Sequence, residues 1–286
     1  MLDENEVQSL IQLLDDPDES IFAMVEQKLL SLGGEVIDHL ELAWEQSFNV
    51  VVQTRIENLI HQIQFEQVMN ELQLWKLSGS FDLLQGLIIV NKYQYPDMDE
   101  QKVINQLEAI KRDAWMDMIY TMSAVEKVRL LNHIIYNTHG FSGNTSNYHD
   151  PQNSYIGQVL ETRKGNPIML ACIYSLIAQK LDIPIYGINL PRHFILAYTD
   201  ERGGEDESSV LFYINSFNRG QILGRHDVVS FIKQLNLEPN PQFLLPCNHM
   251  DIISRVLRNL SAAYTQMGTQ QKAEEVDRLL QLLENE

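Results

Sequence analysis

The chemistry-bearing residues of this chain concentrate between positions 153 and 216. Asn166 and Pro167 precede the apolar run IMLACIYSLIA. They make a good helix start, because an Asn side chain accepts bonds from free backbone N–H groups and Pro suits the first helical position. A thiolate at such a start gains from the helix dipole, and a neighbouring imidazolium lowers its pKa further, so a cysteine nucleophile belongs here. The residue in place is Pro167. His193 follows Pro191-Arg192 and opens a strand-like segment. Asn215 lies on the next such segment, YINSFN, where a polar side chain can orient an imidazole. Asn orients a histidine but cannot stabilise an imidazolium as a carboxylate does. Base and orienter are kept; the nucleophile is not.

Other residues compete poorly for the missing role. Cys172 lies five positions beyond Pro167, a rotation of about 500°, or roughly 140° past a full turn. It should point away from a cleft at the helix start, as a buried structural thiol. Cys247 sits in a Pro-flanked loop with no base in view. Ser154, Ser175 and Ser216 are alternative nucleophiles without a supporting signature, and Ser216, next to Asn215 on a strand, should face the other way. His139, His149 and Asp150 lie in or beside one loop, but their spacing is not that of a metal site. No cofactor and no metal site is expected.

The elements that must position these residues follow from periodicity. From Glu6 to about His139 the pattern is helix after helix, beginning with Val7, Leu10, Ile11 and Leu14, then Phe22, Val25, Leu29 and Leu32. Ser20 is a candidate cap for the second helix, and Gly33-Gly34 should end it. Further helices are predicted at 35–46, 49–67, 82–92, 99–118 and 123–138. Tyr93 and Tyr95, after the apolar 82–92 segment, should pack in or near the core rather than line a groove. A polar loop from Thr138 through FSGNTSNYHDPQN is too long for a simple connection. From Asn153 a short helix, a Gly turn and a buried helix at 168–181 come next. A Pro-bounded strand follows, then the strands FILAYTD and VLFYINSF, joined by an acidic turn, ERGGEDESS. These read as a small antiparallel sheet packed on the 168–181 helix. A last pair, 248–267 and 270–284, turns at Gly268. The fold class is α+β, mostly helical.

Composition bounds the partners. The chain has 286 residues, with Asp+Glu 39 against Lys+Arg 21 and a net charge of −18. That balance disfavours phosphate backbones, which are bound by clustered Lys and Arg, so nucleic acid is not an expected partner. No apolar run approaches the roughly 20 residues that span a bilayer, and the acidic MLDENEVQSL lacks a signal-peptide pattern. No membrane partner is expected, and the expected location is cytoplasmic. Two cysteines make neither a disulfide framework nor a cysteine zinc site.

The runs FSGN, YHDPQNSYIGQVLETRKGNPIML, LDIPIYGINLP, RHF and INSFNRG, in this order, resemble the bacterial SirB family. That family joins a papain- or transglutaminase-like core to tetratricopeptide-type helices. The terminal order N-L-x-x-x-Y-x-x-x-G-x-x-x-K-A resembles one tetratricopeptide unit, which must pack on the rest of the chain. The resemblance divides the chain into an N-terminal helical region 1–120, a transglutaminase-like core 121–240 and a helix pair 241–286. It places Pro167 at the nucleophile, His193 at the histidine and Asn215 at the acid, as vestiges of a triad. Asn215 and Ser216 stand where an Asp-Pro pair is typical, and Arg192 and Arg219 where glycine is common. Arg192, Arg219, Asn166 and Tyr155 are the expected cleft residues. The implied function is a catalytically inactive transglutaminase-like protein, a regulatory scaffold that binds a protein or small ligand. The alternative is an active transglutaminase- or cysteine-protease-like hydrolase with an unrecognised nucleophile.

Overall fold

The computed structural model describes residues 4–200 and 207–285. The acidic turn expected at 201–209 lies mostly outside them. The fold is mostly helical α+β with one small antiparallel sheet, and contacts divide it into Met1–Leu74 and Trp75–Glu286. The helices expected in the N-terminal region from 82 onward thus lie with the second unit rather than behind a boundary at 120, and the last helix pair is part of that unit too.

In the first unit, α1 (Glu4–Gln12), α2 (Glu19–Leu32), α3 (Ile37–Gln46) and the start of α4 (Val50–Leu77) enclose Val7, Leu14, Val25, Leu29, Leu40, Ile56, Leu59 and Ile63. Each such fully buried side chain contributes about 1.5–3 kcal/mol. Asp18, not Ser20, caps α2: its Oδ1 accepts from the Ser20 N–H at 2.8 Å, and the Ser20 hydroxyl donates to the same oxygen. Arg55 donates to the carbonyls of Leu14 and Asp16, tying α4 to the turn after α1. The helix predicted to stop at 67 runs on to Leu77, because nothing breaks it before Ser78-Gly79.

The second unit continues with α5 (Leu83–Lys92), α6 (Glu100–Asp117) and α7 (Ala124–Asn132), the last extended by a π-helical turn at His133–Thr138. Asp82, Asp99 and Ser123 cap these three helices. The long loop is ordered. A two-residue strand, β1 (Ser142–Gly143), pairs in parallel with β2 (Lys164–Gly165), which follows α8 (Ile156–Thr162). Asn153 Nδ2 donates to the carbonyls of Asn147 and Tyr148, and Asn144 Nδ2 donates to Asn153 Oδ1 at 2.8 Å.

Next comes α9 (Pro167–Gln179), whose residues are buried from Pro167 to Ala178. It packs on the sheet β3 (Ile185–Leu190), β4 (His193–Thr199), β5 (Val210–Asn215) and β6 (Gln221–Leu223), antiparallel in that order. Leu190 pairs with His193 and Ala197 with Tyr213, so Ile188, Leu190, Ile195, Ala197 and Tyr213 share one face. That face packs on Val228 and Ile232 of α10 (Arg225–Gln234), a helix that the sequence reading did not predict. Its charged residues interrupt the apolar spacing too often for periodicity to find it.

The hairpin α11 (His249–Met267) and α12 (Gln270–Glu284) turns at Gly268, whose φ is 77°. It packs on α5, α9 and β3. Tyr93 donates to Glu275 at 2.8 Å, and Tyr264 donates to Gln94 at 3.0 Å, fastening the hairpin polar group by polar group. Among the described residues no helix is long and apolar enough to cross a membrane.

Candidate functional site

A cleft of ≈ 230 Å³ opens at the N-terminus of α9. Asn166, Pro167 and Ile168 form its floor; Arg192 comes from the β3–β4 turn, and His193 and Phe194 from the start of β4. Tyr148, His149 and Asp150 wall it from the ordered loop, and Arg255, Asn259, Ala262 and Ala263 from α11. The floor is fixed locally. Asn166 Oδ1 accepts from the Met169 N–H at 2.9 Å, and its Nδ2 donates to Ser154 Oγ at 2.7 Å. An Asn cap satisfies one of the free N–H groups of a helix start, and the second bond leaves its buried amide with partners on both sides.

His193 and Asn215 meet through strand register. Because Leu196 pairs with Ile214, residue 193 and residue 215 are diagonal neighbours on the face shared with Ile195 and Tyr213. Burial pushes the His193 imidazole below its ordinary value; the Asn215 side chain, in hydrogen-bonding reach, pulls it back up, and the Arg255 charge pushes it down. The net is a lowered pKa. The ring also packs against Phe231 of α10, 5.8 Å between centroids. Ser216 faces the opposite way, as strand alternation requires, and donates to the Pro167 carbonyl at 3.3 Å. The imidazole pair and the helix start therefore reach the end of the sheet from its two faces.

The turn after β5 is braced from the preceding helical segment. Tyr136 OH donates to the Ser216 carbonyl at 2.8 Å, Asn132 Nδ2 to the Gly220 carbonyl at 2.8 Å, and the Asn218 N–H to Asn215 Oδ1 at 3.2 Å. The two positions where the resemblance leads one to expect glycine both have left-handed backbone, φ 61° at Arg192 and 51° at Arg219. Such a conformation costs a residue with a Cβ about 1–2 kcal/mol, which explains a preference for glycine there.

The expected cleft residues separate. Asn166 and Arg192 line the cleft with Pro167 and His193. Arg219 does not: it bonds Asn137 and borders a different hollow with Arg129, Asn132 and His133. Tyr155 does not either: it is fully buried, with its hydroxyl 2.7 Å from that of Tyr264. It sits at the entry to α8, with its ring edge-on to that of Tyr95. Cys172 is buried, and burial raises its thiol pKa well above the ordinary value. The Cys247 thiol is likewise pushed up to about 12 by burial, and it bonds the Gly187 carbonyl. Ser175 bonds within its own helix. Ser154 alone among the candidate serines lines the cleft. His139 pairs with Asp113 at 2.8 Å and is not a cleft residue, and no group of three or more His, Cys, Asp or Glu among the described residues could hold a metal ion.

The sequence reading missed Arg255, Asn259, Ala262 and Ala263. Their spacing of four, three and one places them on one stripe of α11. Polar Arg255 and Asn259 and small Ala262 beside the buried apolar face of α11 are the signal that marks that stripe as lining a space.

The profile of the transglutaminase-like superfamily matches residues 101–258. A UPF0162 protein of Xylella fastidiosa is 30% identical over 234 residues, covering 75% of this chain and 78% of its own. A UPF0162 protein of Vibrio cholerae is 27% identical over 189 residues, 64% of this chain and 67% of its own. F-box only protein 21 of Mus musculus is 33% identical over 96 residues, 32% of this chain and 15% of its own. No solved structure matches.

Proposed function

Because the chain belongs to the transglutaminase-like superfamily, we propose that it is a catalytically inactive member whose His193 cleft binds a ligand without turning it over. One observation carries this reading: the first residue of α9, where a cysteine nucleophile would draw on the helix dipole, is Pro167. Pro has no nucleophilic atom. Cys172 is buried with its thiol held protonated, so it supplies no thiolate to the cleft. Asn in place of a carboxylate, which cannot stabilise an imidazolium, and the packing of the ring on Phe231 fit a histidine that no longer serves as a base. The narrower kinship with the SirB family and a regulatory scaffold role belong to the same reading.

The test is turnover. Purified protein is given a glutamine-containing peptide with an amine acceptor, and separately an amide substrate. No product above a His193→Ala control is expected; product that vanishes in that variant refutes the reading. A hydrolase using Ser154 is the second reading, favoured by the place of that residue in the cleft lining. It requires an adduct on Ser154 with an electrophilic active-site probe.

A further inference from the structure

The charges around the cleft are unlike those of the chain. The whole molecule carries −18, yet the cleft holds two arginines, Arg192 and Arg255, against one carboxylate, Asp150. Asp150 is engaged in the loop, where its Oδ1 accepts from the Gln152 N–H at 3.0 Å. Arg255 is half-buried and donates from one terminal nitrogen to two neutral oxygens, Asn189 Oδ1 at 3.0 Å and the Leu190 carbonyl at 3.4 Å. Arg192 makes no hydrogen bond or ion pair among the described residues. Among the described residues neither guanidinium is paired with a carboxylate, although acidic residues outnumber basic ones nearly two to one in the chain. A partly desolvated guanidinium without a counter-charge is costly, and the cost is recovered when an anion enters.

We propose that this cleft recognises a single carboxylate, held between Arg255 and Arg192 above the start of α9. The guanidinium fork matches the two oxygens of a carboxylate, and the donors left on Arg255 after its bonds to Asn189 and Leu190 are available for it. One excess positive charge suits a monoanion; a phosphate dianion would meet Asp150 with only the same two arginines to balance it. The space of ≈ 230 Å³ lies below the roughly 300–1,000 Å³ of sites for drug-sized ligands. It suits a small organic acid or the last residue of a peptide, with Ala262 and Ala263 leaving room for the body of the ligand. This rests on the reading of the cleft as a binding site.

The probes are N-acetyl-tetra-alanine with a free C-terminus, its C-terminal amide, acetate and inorganic phosphate. Binding is followed by calorimetry and by the His193 imidazole signals in NMR. The free acid should bind at least ten-fold tighter than the amide. Arg255→Gln should lose at least ten-fold. Because Arg255 also bonds Asn189 and Leu190, Arg192→Gly provides the second variant: it removes an exposed charge at a left-handed position that glycine accepts, and should weaken the free acid several-fold with the fold intact. Acetate binding as tightly as the peptide assigns a small acid as sufficient, whereas acetate much weaker than the peptide assigns the peptide terminus. Acid and amide binding alike, phosphate preferred to both carboxylates, no binding at all, or affinities unchanged in both variants would each overturn the proposal. Equal binding of acid and amide leaves a binding cleft in place; cleavage of the peptide overturns the inactive reading and leaves carboxylate recognition standing.

Discussion

Replacing Gly220 with alanine tests whether the turn that holds Asn215 is braced as described. Gly220 has φ 71°, and a Cβ built there would lie 1.8 Å from Asn132 Oδ1 and 2.3 Å from its Cγ. The left-handed backbone alone costs alanine about 1–2 kcal/mol. The contact cannot be kept, so the Asn132 side chain must leave. It then gives up its bond to the Gly220 carbonyl, 2.8 Å, and the one it accepts from Tyr174 OH, 3.0 Å. Tyr174 is fully buried, and its hydroxyl is left with only the long contact to the Val128 carbonyl at 3.4 Å, at a cost of about 1–3 kcal/mol at most. The two parts together come to roughly 2–5 kcal/mol. Gly140→Ala separates the two parts: its φ is 74°, and a Cβ there meets nothing within 4 Å. It should cost only the backbone part, about 1–2 kcal/mol. Urea unfolding of both variants gives the difference from the midpoints at constant slope. A Gly220→Ala loss no larger than that of Gly140→Ala refutes the bracing of the turn by Asn132.

Two further outcomes follow from the site. Asn215→Asp places a carboxylate beside the imidazole, and an ion pair at about 4 Å is worth up to about 4 kcal/mol at an effective dielectric of 20. Discounting for partial exposure and for Arg255, the proton affinity of His193 should rise at least ten-fold in an NMR titration; an unchanged or lower value contradicts their contact. The sign of the pH dependence reverses once the folded value passes the unfolded one. With its pKa lowered in the folded state, wild-type His193 costs stability as pH falls through the unfolded value near 6.5. With a raised pKa, the variant gains stability below the unfolded value and loses it as pH rises through the folded one. Cys172, buried and held protonated, should resist alkylation under native conditions until the protein unfolds. Labelling at the rate of a free thiol would show that α9 is not the sealed helix described.

Local signals in the sequence determined much of this protein. Asn166-Pro167 announced a helix start because cap and first-turn preferences act within a few residues, and the bond from the Met169 N–H is local. The unbroken apolar run behind it identified α9 as a buried helix, and the alternation of the two strands put Asn215 and Ser216 on opposite faces. The absence of a nucleophilic side chain at Pro167 was legible from one letter. What only the tertiary structure decided was distance between elements. Arg192 and Arg219 look equivalent in sequence, both next to a strand, and both turn out left-handed, yet the turn after β3 brings one to the cleft and the turn after β5 brings the other to Asn137. Tyr155, twelve residues before the first residue of α9, is turned inward to meet Tyr264, more than a hundred residues away. Arg255 enters the cleft because the α11–α12 hairpin packs on α5, α9 and β3, and no local preference encodes that docking. Helix starts and strand faces are written in neighbouring residues; the charge of a cleft is written in the packing that gathers its walls.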